Sequence, residues 1–201
     1  MENTEQKVYG FCAMMSRMKY IDRWALMRNS RKENISEHSL EVAMLAHLLA
    51  VIGKVRFGKP LDADKAALLG IYHDCTEIIT GDMPTPIKYY SEEMRETFHK
   101  IEDNAAIQLL EMLPEDIRAE YQNLFFAQEA DAYLWKLAKA ADKLSALIKC
   151  IEEEKAGNTE FQSARASTED SVKKMELEEV DVFFREFLPA YEKTLDGLRE
   201  R

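Results

Sequence analysis

Four histidines are present in the chain, and one of them, His73, is followed directly by Asp74. This pair lies in a strongly apolar stretch, AALLGIYHD, where an imidazole and a carboxylate are costly to bury without partners. His38 opens another predicted helix, and Asp142 interrupts a small, apolar run in a third. Two imidazoles and two carboxylates from three helices can form a metal site of nitrogen and oxygen ligands, with open positions for water and substrate.

Each of these residues also has a simpler interpretation when it is taken alone. An isolated His-Asp pair usually lies at a helix edge and bonds to backbone or water. Asp142 could be an exposed carboxylate that pairs with Lys139. The complete set, with each member at a plausible helix position, favours the metal site over these alternatives.

A third acidic residue stands close to the His-Asp pair. Glu77 lies four residues after His73 and three after Asp74, so a helix places it on their face. A carboxylate there is suited to orient a water or to move a proton, and the sequence does not distinguish these roles.

The two remaining histidines have different predictions. His47 follows His38 by nine residues, which places it on the opposite side of a helix that turns about 100° per residue. It is predicted to pack in the core or at its rim. His99 ends a Glu-x-x-His motif typical of di-metal bundles, but no second copy of the motif is present, so His99 is predicted to lie at the surface.

The elements that must position these side chains are predicted to be helices. Asn34 with Glu37 three residues later forms a capping-box pattern, and Asp62 and Ser91 can cap later helices. After Asp62, the pattern predicts one helix that runs through AALLGIYHDCTEII towards Thr80.

The rest of the chain also has helical spacing. A first helix is predicted from about Thr4 to Ile21, a later one begins at Pro114, and another stops at Gly157-Asn158. The proline-rich segment 81–86 cannot be helical. Seven glycines and five prolines are too few for the turns of an all-β protein. The sequence therefore predicts an all-α fold, with a single domain over residues 1–201.

Composition excludes several classes of protein. A formal net charge of −10 disfavours binding to DNA or RNA, although a local basic pocket could still hold a small phosphorylated ligand. Three widely spaced cysteines predict neither a disulfide framework nor a cysteine zinc site, and favour a reducing compartment. The polar N-terminus does not resemble a signal peptide, and the longest apolar run is too short to span a bilayer. We therefore expect a soluble, cytoplasmic protein with no membrane partner.

The order of the candidate ligands resembles the H…HD…D signature of the HD-domain phosphohydrolase superfamily. The likeness extends to its bacterial 5′-deoxynucleotidase branch, from about Phe11 through the last helix. The matching stretches are IDRW (21–24), RN (28–29), ENISEHS (33–39), YHDCTE (72–77), TGDMPTPIK (80–88) and KAADKL (139–144). The run TGDMPTPIKYY is typical of this branch rather than of HD proteins in general.

This resemblance implies a single HD-domain helical bundle that forms a homodimer. It also implies hydrolysis of deoxyribonucleoside 5′-monophosphates to deoxynucleoside and phosphate, with one divalent metal ion. The implied metal ligands are His38, His73, Asp74 and Asp142, and the implied catalytic residue is Glu77. Such an ion polarises a phosphoryl oxygen and lowers the pKa of a water molecule. The mixed ligands favour Co²⁺, Mn²⁺ or Fe²⁺, and Zn²⁺ is also possible.

The resemblance also assigns substrate contacts, each with a simpler alternative. Arg23 lies in a segment, residues 17–32, with six basic residues and one acidic residue, which either attracts an anion or is a solvated basic loop. The resemblance favours Arg23 as the phosphate contact, with Lys88 as a weaker second one. Trp24 is a wall for the sugar or base, or simply core packing. Asp82 is a sugar-binding carboxylate, or a turn former after Gly81.

Two other functions remain open at this point. The protein could be an HD hydrolase that acts on another nucleotide, cyclic or polyphosphorylated. It could also be a metal-stabilised helical interaction module without turnover. Glu77 together with Arg23 argues against the module, because a purely structural metal requires neither.

Overall fold

A computed structural model describes residues 7–88 and 90–199. Its α-helices are α1 (Phe11–Met15), α2 (Ile35–Phe57), α3 (Ala63–Tyr72), α4 (Glu77–Thr80), α5 (Thr85–Lys88), α6 (Glu92–Glu111), α7 (Glu115–Phe125), α8 (Ala132–Lys155), α9 (Gln162–Lys173), α10 (Glu178–Glu186) and α11 (Leu195–Arg199). The only extended pairing within these ranges is an isolated antiparallel bridge between Asp22 and Asn34. None of the described helices is long and apolar enough to cross a membrane. The predicted all-α fold is confirmed.

Helix starts follow the predicted caps. The Asn34 side chain accepts a hydrogen bond from the Glu37 amide at 3.1 Å, and the Glu37 carboxylate accepts one from the Asn34 amide at 3.4 Å. Asp62 and Ser91 accept main-chain hydrogen bonds in the same way at the starts of α3 and α6. The cap of α2 fixes His38 in the first turn of that helix.

The main core lies where α2, α3 and α8 pack together. Leu49, Leu69 and Leu144, one from each helix, are fully buried there. Helices α2 and α3 approach so closely that a Cβ atom on Gly70 would lie 2.7 Å from the Cα atom of Ala43. Only glycine fits this contact, which brings the end of α3 against the first turns of α2.

The helix predicted through His73 towards Thr80 is interrupted. Helix α3 ends at Tyr72, and residues 73–76 form a turn before α4. The His73 ring bonds the carbonyl of Gly70 at 2.8 Å, which is the carbonyl that a continuing helix would offer to the Asp74 amide. The His73 side chain therefore competes with the Asp74 amide for this carbonyl, and α3 ends in a turn.

Three other sequence predictions need correction. The segment 81–86 was predicted to be non-helical throughout, but its last two residues, Thr85 and Pro86, begin α5, because a proline is tolerated in the first turn of a helix, where its missing N–H is not needed.

The first helix, predicted from Thr4 to Ile21, is an α-helix only over α1 and continues as a 3₁₀ helix at Ser16–Tyr20, while Thr4 lies outside the described residues. The packed position predicted for His47 is wrong. Its side chain is 48% exposed on the outer face of α2, 3.9 Å from Asp64, because the core side of α2 is filled by leucines and alanines.

A loop over residues 22–33 joins the 3₁₀ helix to α2, and the far end of α8 anchors it. Glu153 and Lys149, both buried, form an ion pair there. Glu153 accepts a hydrogen bond from the Ser30 amide at 2.8 Å, and Lys149 donates to the Arg31 carbonyl. The loop that carries Arg23 is thus held by a helix more than a hundred residues away in sequence.

Candidate metal centre and substrate site

Four predicted ligands converge at the junction of the three core helices. His38 comes from the first turn of α2, His73 and Asp74 from the turn after α3, and Asp142 from the middle of α8. One ligand atom from each residue lies within 4.8 Å of the others. His38 Nε2 is 3.2 Å from the Asp142 carboxylate and 3.4 Å from that of Asp74, and His73 Nε2 is 3.0 Å from Asp74.

Hydrogen bonds on the outer side of each imidazole fix which nitrogen faces the cluster. His73 Nδ1 contacts the Gly70 carbonyl, which only accepts, so Nδ1 carries the proton. His38 Nδ1 lies 2.9 Å from the Ser145 hydroxyl, which in turn donates to Glu41 at 2.6 Å. In the neutral form of each ring, Nε2 therefore presents its lone pair towards the carboxylates.

This arrangement fits a divalent cation. Both Nε2 atoms are buried and have no hydrogen-bond partner. Two lone pairs and two carboxylate oxygens repel one another in a buried site unless a positive charge lies among them. Imidazole and carboxylate together form a donor set that divalent transition metals accept. The residues present can thus hold such an ion.

The pKa values of the cluster residues also indicate that the site favours a positive charge. Burial lowers the pKa of His73, but the charge and hydrogen bond of Asp74, together with Asp142 and the Gly70 carbonyl, raise it to about 9, so that without a metal a proton on His73 supplies the positive charge. Burial raises the pKa of Asp74, but His73 and His38 hold it well below its usual value. The site stabilises the ionised carboxylate and a cation beside it.

Ser145 and Glu41 orient His38 from behind. Both the Ser145 side chain and the His38 ring are fully buried, and the hydroxyl links the ring to the Glu41 carboxylate. A carboxylate at the end of this chain favours the tautomer with the proton on Nδ1. Such partners of a ligating histidine fix its orientation and raise its basicity.

We expect Ser145→Ala to weaken divalent-metal affinity by about 10- to 100-fold, because His38 loses its hydrogen-bond acceptor. The measurement is a competition titration of the chelated protein against a metal-sensitive dye. Ser39→Ala is the matched control, since Ser39 is also buried beside His38 but its hydroxyl bonds nothing. Equal affinities in the two variants would contradict the role of Ser145.

Glu77 begins α4 and is buried close to the cluster. Its Oε2 atom has no hydrogen-bond partner. Burial, together with the charges of Asp74 and Asp82, raises the pKa of Glu77 to about 10, against the opposing effect of Arg23 and Lys88. A raised pKa of this kind suits a carboxyl group that donates a proton.

Two basic side chains border the same site. The Arg23 guanidinium is 12% exposed, with Nη1 2.6 Å from Glu33 and Nη2 4.0 Å from Asp142. The Lys88 ammonium lies 2.7 Å from the Glu102 carboxylate, and its positive charge interacts with the carboxyl groups of Asp74 and Glu77. A pair of cations beside a cluster of carboxylates is suited to bind an anion such as a phosphate.

Trp24 and Asp82 lie next to Arg23. The Trp24 ring packs against Phe161 with centroids 5.3 Å apart, and its indole nitrogen donates to Glu33 at 3.2 Å. Asp82 follows Gly81, whose φ of 73° requires glycine's freedom. Burial raises the pKa of Asp82, while Arg23 and the Trp24 main chain lower it.

The structure thus brings all nine predicted site residues into one region, and it leaves two histidines outside it. His99 is 61% exposed on α6, as predicted, where it contacts Glu102 at 3.2 Å. His47 lies at the surface of α2.

Several supporting residues were not singled out from the sequence. Glu33, Glu41 and Ser145 each bond a predicted site residue. Glu41 follows His38 by three residues and Ser145 follows Asp142 by three. The one-turn spacing that indicated Glu77 therefore applies to both.

Comparison with known proteins gives one consistent result. The sequence model of the YfbR-like 5′-deoxynucleotidase family matches residues 10–191. A 5′-deoxynucleotidase of Erwinia tasmaniensis is 44% identical over 190 residues, which cover 94% of this chain and 96% of that protein. One from Vibrio cholerae is 44% identical over 188 residues, covering 94% and 97%.

Solved structures agree on the fold. An HD-domain phosphohydrolase from Listeria innocua has a TM-score of 0.77 at 20% identity, covering 94% of this chain and 90% of that one. A cyanophage S-2L HD phosphohydrolase, bound to dA and one catalytic Zn²⁺ ion, has a TM-score of 0.64 at 21% identity, covering 96% and 100%. With the sequence match over most of its length, the chain belongs to the YfbR-like 5′-deoxynucleotidase family.

Proposed function

We propose that this protein is a metal-dependent 5′-deoxynucleotidase, which hydrolyses deoxyribonucleoside 5′-monophosphates to deoxynucleoside and inorganic phosphate. The observation that carries the proposal is the convergence of two unpartnered imidazole nitrogens and two carboxylates beside a buried arginine. Membership of the family supports the substrate class.

His38, His73, Asp74 and Asp142 would hold one divalent ion. When bound, that ion supplies Lewis acidity towards a phosphoryl oxygen and water. The mixed ligands suit Co²⁺, Mn²⁺ or Fe²⁺ and also accept Zn²⁺.

Arg23 binds and orients the phosphate in this proposal. Its Nη1 atom is already bonded to Glu33, so its Nη2 atom, on the side of Asp142, is available to a phosphate oxygen. Lys88 adds a second positive charge near Asp74 and Glu77. The two cations offset the charge that develops on the non-bridging oxygens as the phosphate ester breaks.

Glu77 is the proton donor. The 5′-oxygen of the nucleoside leaves as a poor alkoxide unless it receives a proton, and a buried carboxyl group with a raised pKa carries one at neutral pH. The oxygen of a water molecule forms the new bond to phosphorus as the bond to the 5′-oxygen breaks. Glu77 gives its proton to that 5′-oxygen, and the attacking water gives up a proton that restores Glu77, so the products are the neutral deoxynucleoside and inorganic phosphate.

Trp24 and Asp82 contact the sugar. On the face of the sugar that Trp24 covers, the indole ring offers no acceptor to a ribose 2′-hydroxyl, and burying that hydroxyl without a partner costs about 1–3 kcal/mol. We therefore expect deoxyribonucleoside monophosphates to be hydrolysed about 10- to 100-fold faster than their ribose counterparts. Trp24→Ala should narrow this gap by admitting the ribose.

The test is kcat/KM for phosphate release from a panel of deoxy- and ribonucleoside monophosphates, with each metal added to chelated protein. Release only from cyclic or polyphosphorylated nucleotides would indicate a different HD hydrolase, and no turnover with any metal would indicate an interaction module. An unchanged deoxy-to-ribose ratio in Trp24→Ala would show that Trp24 serves packing alone.

We also propose a homodimer built on a single domain over residues 1–201. Leu40 and Met44 of α2 and Leu68 and Ile71 of α3 are exposed on neighbouring helices and offer an apolar surface to a second copy. A monomer mass in static light scattering would contradict the dimer. The cytoplasmic location expected from the sequence stays a prediction.

A further inference from the structure

We propose that Glu33 is a positioning residue that ties phosphate binding to sugar selection. Its carboxylate holds the Arg23 guanidinium and the Trp24 indole in one fixed relation. The proposal rests on the proposed function, because it takes Arg23 as the phosphate contact and Trp24 as the sugar contact.

A single oxygen of Glu33 makes both contacts. Its Oε2 atom accepts from Arg23 Nη1 at 2.6 Å and from Trp24 Nε1 at 3.2 Å. The Glu33 and Arg23 side chains are only 13% and 12% exposed. Charge-assisted hydrogen bonds of this kind, largely shielded from water, are stronger than neutral ones.

The main chain holds Glu33 in place relative to the metal cluster. Its carbonyl accepts a hydrogen bond from the Arg23 amide at 2.9 Å, and the adjacent Asp22–Asn34 bridge closes the loop. Asn34, the next residue, is the cap of the helix that presents His38. Glu33 therefore has a fixed position between the substrate loop and a proposed metal ligand.

Glu33 directs one side of Arg23 towards the cluster. A guanidinium offers several N–H donors in a rigid fork. With Nη1 bonded to Glu33, Nη2 is the terminal nitrogen on the side of Asp142, at 4.0 Å. Without Glu33 the Arg23 guanidinium is free to rotate, and phosphate binding then bears the entropic cost of fixing its orientation.

Glu33 also bonds the side chain of a residue with an uncommon backbone conformation. The backbone of Trp24 has a φ of 59°, in the left-handed region that residues with a side chain rarely adopt. Its carbonyl accepts from Asn29 at 3.2 Å and its ring packs on Phe161. The indole N–H is a donor only, and Glu33 accepts its hydrogen bond.

The rest of the loop is anchored without Glu33. Glu153 accepts from the Ser30 amide, and Asn158 donates to the Arg28 carbonyl at 2.7 Å. A Glu33 variant should therefore fold and keep the loop in place, while the two side chains that Glu33 joins lose their common partner.

The experiment compares Glu33→Leu with Asp22→Asn. Leucine is close to glutamate in size but has no charge and no oxygen to accept from Arg23 or Trp24, so it removes both hydrogen bonds. Asp22→Asn is the matched control, because Asp22 is in the same loop and pairs with Lys32 at the surface. For Glu33→Leu we expect kcat/KM on a deoxyribonucleoside monophosphate to fall about 10- to 100-fold, mainly through KM. We also expect a smaller deoxy-to-ribose ratio and unchanged metal affinity; the control should match wild type.

A double-mutant cycle tests whether Glu33 acts on sugar selection through the indole. Trp24→Phe keeps an aromatic ring but removes the N–H. In that background Glu33→Leu should leave the deoxy-to-ribose ratio unchanged, because the contact between Glu33 and the indole is already lost. Additive effects on the ratio, or an unchanged ratio in Glu33→Leu alone, would overturn the inference. A wild-type protein inactive on all deoxyribonucleoside monophosphates would overturn the proposed function instead.

Discussion

Replacing Asp74 with asparagine is expected to remove both bound metal and phosphate release. The Asp74 Oδ2 atom lies 3.0 Å from His73 Nε2 and 3.4 Å from His38 Nε2, so it is the oxygen that both imidazole lone pairs face. A neutral amide takes away the charge that attracts the cation. Metal content should fall from about one ion per chain to none. Turnover should fall by at least about 10³-fold, since a Lewis acid contributes several kcal/mol.

A surface pair of the same kind provides the control. Asp64 lies 3.9 Å from His47, and both side chains are exposed. Asp64→Asn should therefore keep metal and activity. The measurements are metal analysis of the purified protein and steady-state kinetics, and His73→Ala is a second variant with the same expectation. Full turnover in a well-folded His73→Ala protein that holds no metal would end the metal hypothesis, and full metal content in Asp74→Asn would show that Asp74 is not a required ligand.

The parts of the fold that the sequence predicted correctly are those set by local contacts. Asn34, Asp62 and Ser91 each accept a main-chain hydrogen bond within three residues, so a short stretch of sequence determines where α2, α3 and α6 begin. The end of α3 could not be predicted from local sequence in this way. The apolar pattern continues beyond Tyr72, while the break depends on the His73 ring bonding the Gly70 carbonyl.

The candidate site likewise has a part that the sequence predicted and a part that depends on long-range packing. The four candidate ligands were found because their residue types are rare in apolar helices and their order matched a known signature. The loop that carries Arg23 depends on Glu153 and Lys149, which follow it by more than a hundred residues and read in the sequence as ordinary charges on a helix. Only the packing of α8 against the loop reveals that these charges are buried and what they hold.

The last prediction concerns Glu77, which we expect to act after the substrate is bound. Glu77→Gln keeps the size of the side chain but removes the acidic proton. Metal content and nucleotide binding should be retained, while kcat falls about 10²- to 10⁴-fold, as expected for lost acid–base catalysis. Glu93→Gln, at an exposed position of α6, is the control. Loss of metal together with activity would instead make Glu77 a ligand or a structural support.

The pH dependence of kcat separates the two roles that a carboxyl group can have at position 77. Burial and the nearby charges of Asp74 and Asp82 raise the pKa of Glu77 to about 10, so the group is protonated below that pH. If Glu77 donates the proton, its ionisation leaves wild-type kcat unchanged near neutral pH. The kcat then falls as the pH rises past about 10, where Glu77 loses its proton. Glu77→Gln should lose this alkaline decline, since glutamine does not titrate. A wild-type kcat that instead rises through the same range would show that the ionised carboxylate is the active form and that Glu77 accepts a proton from water rather than giving one to the 5′-oxygen.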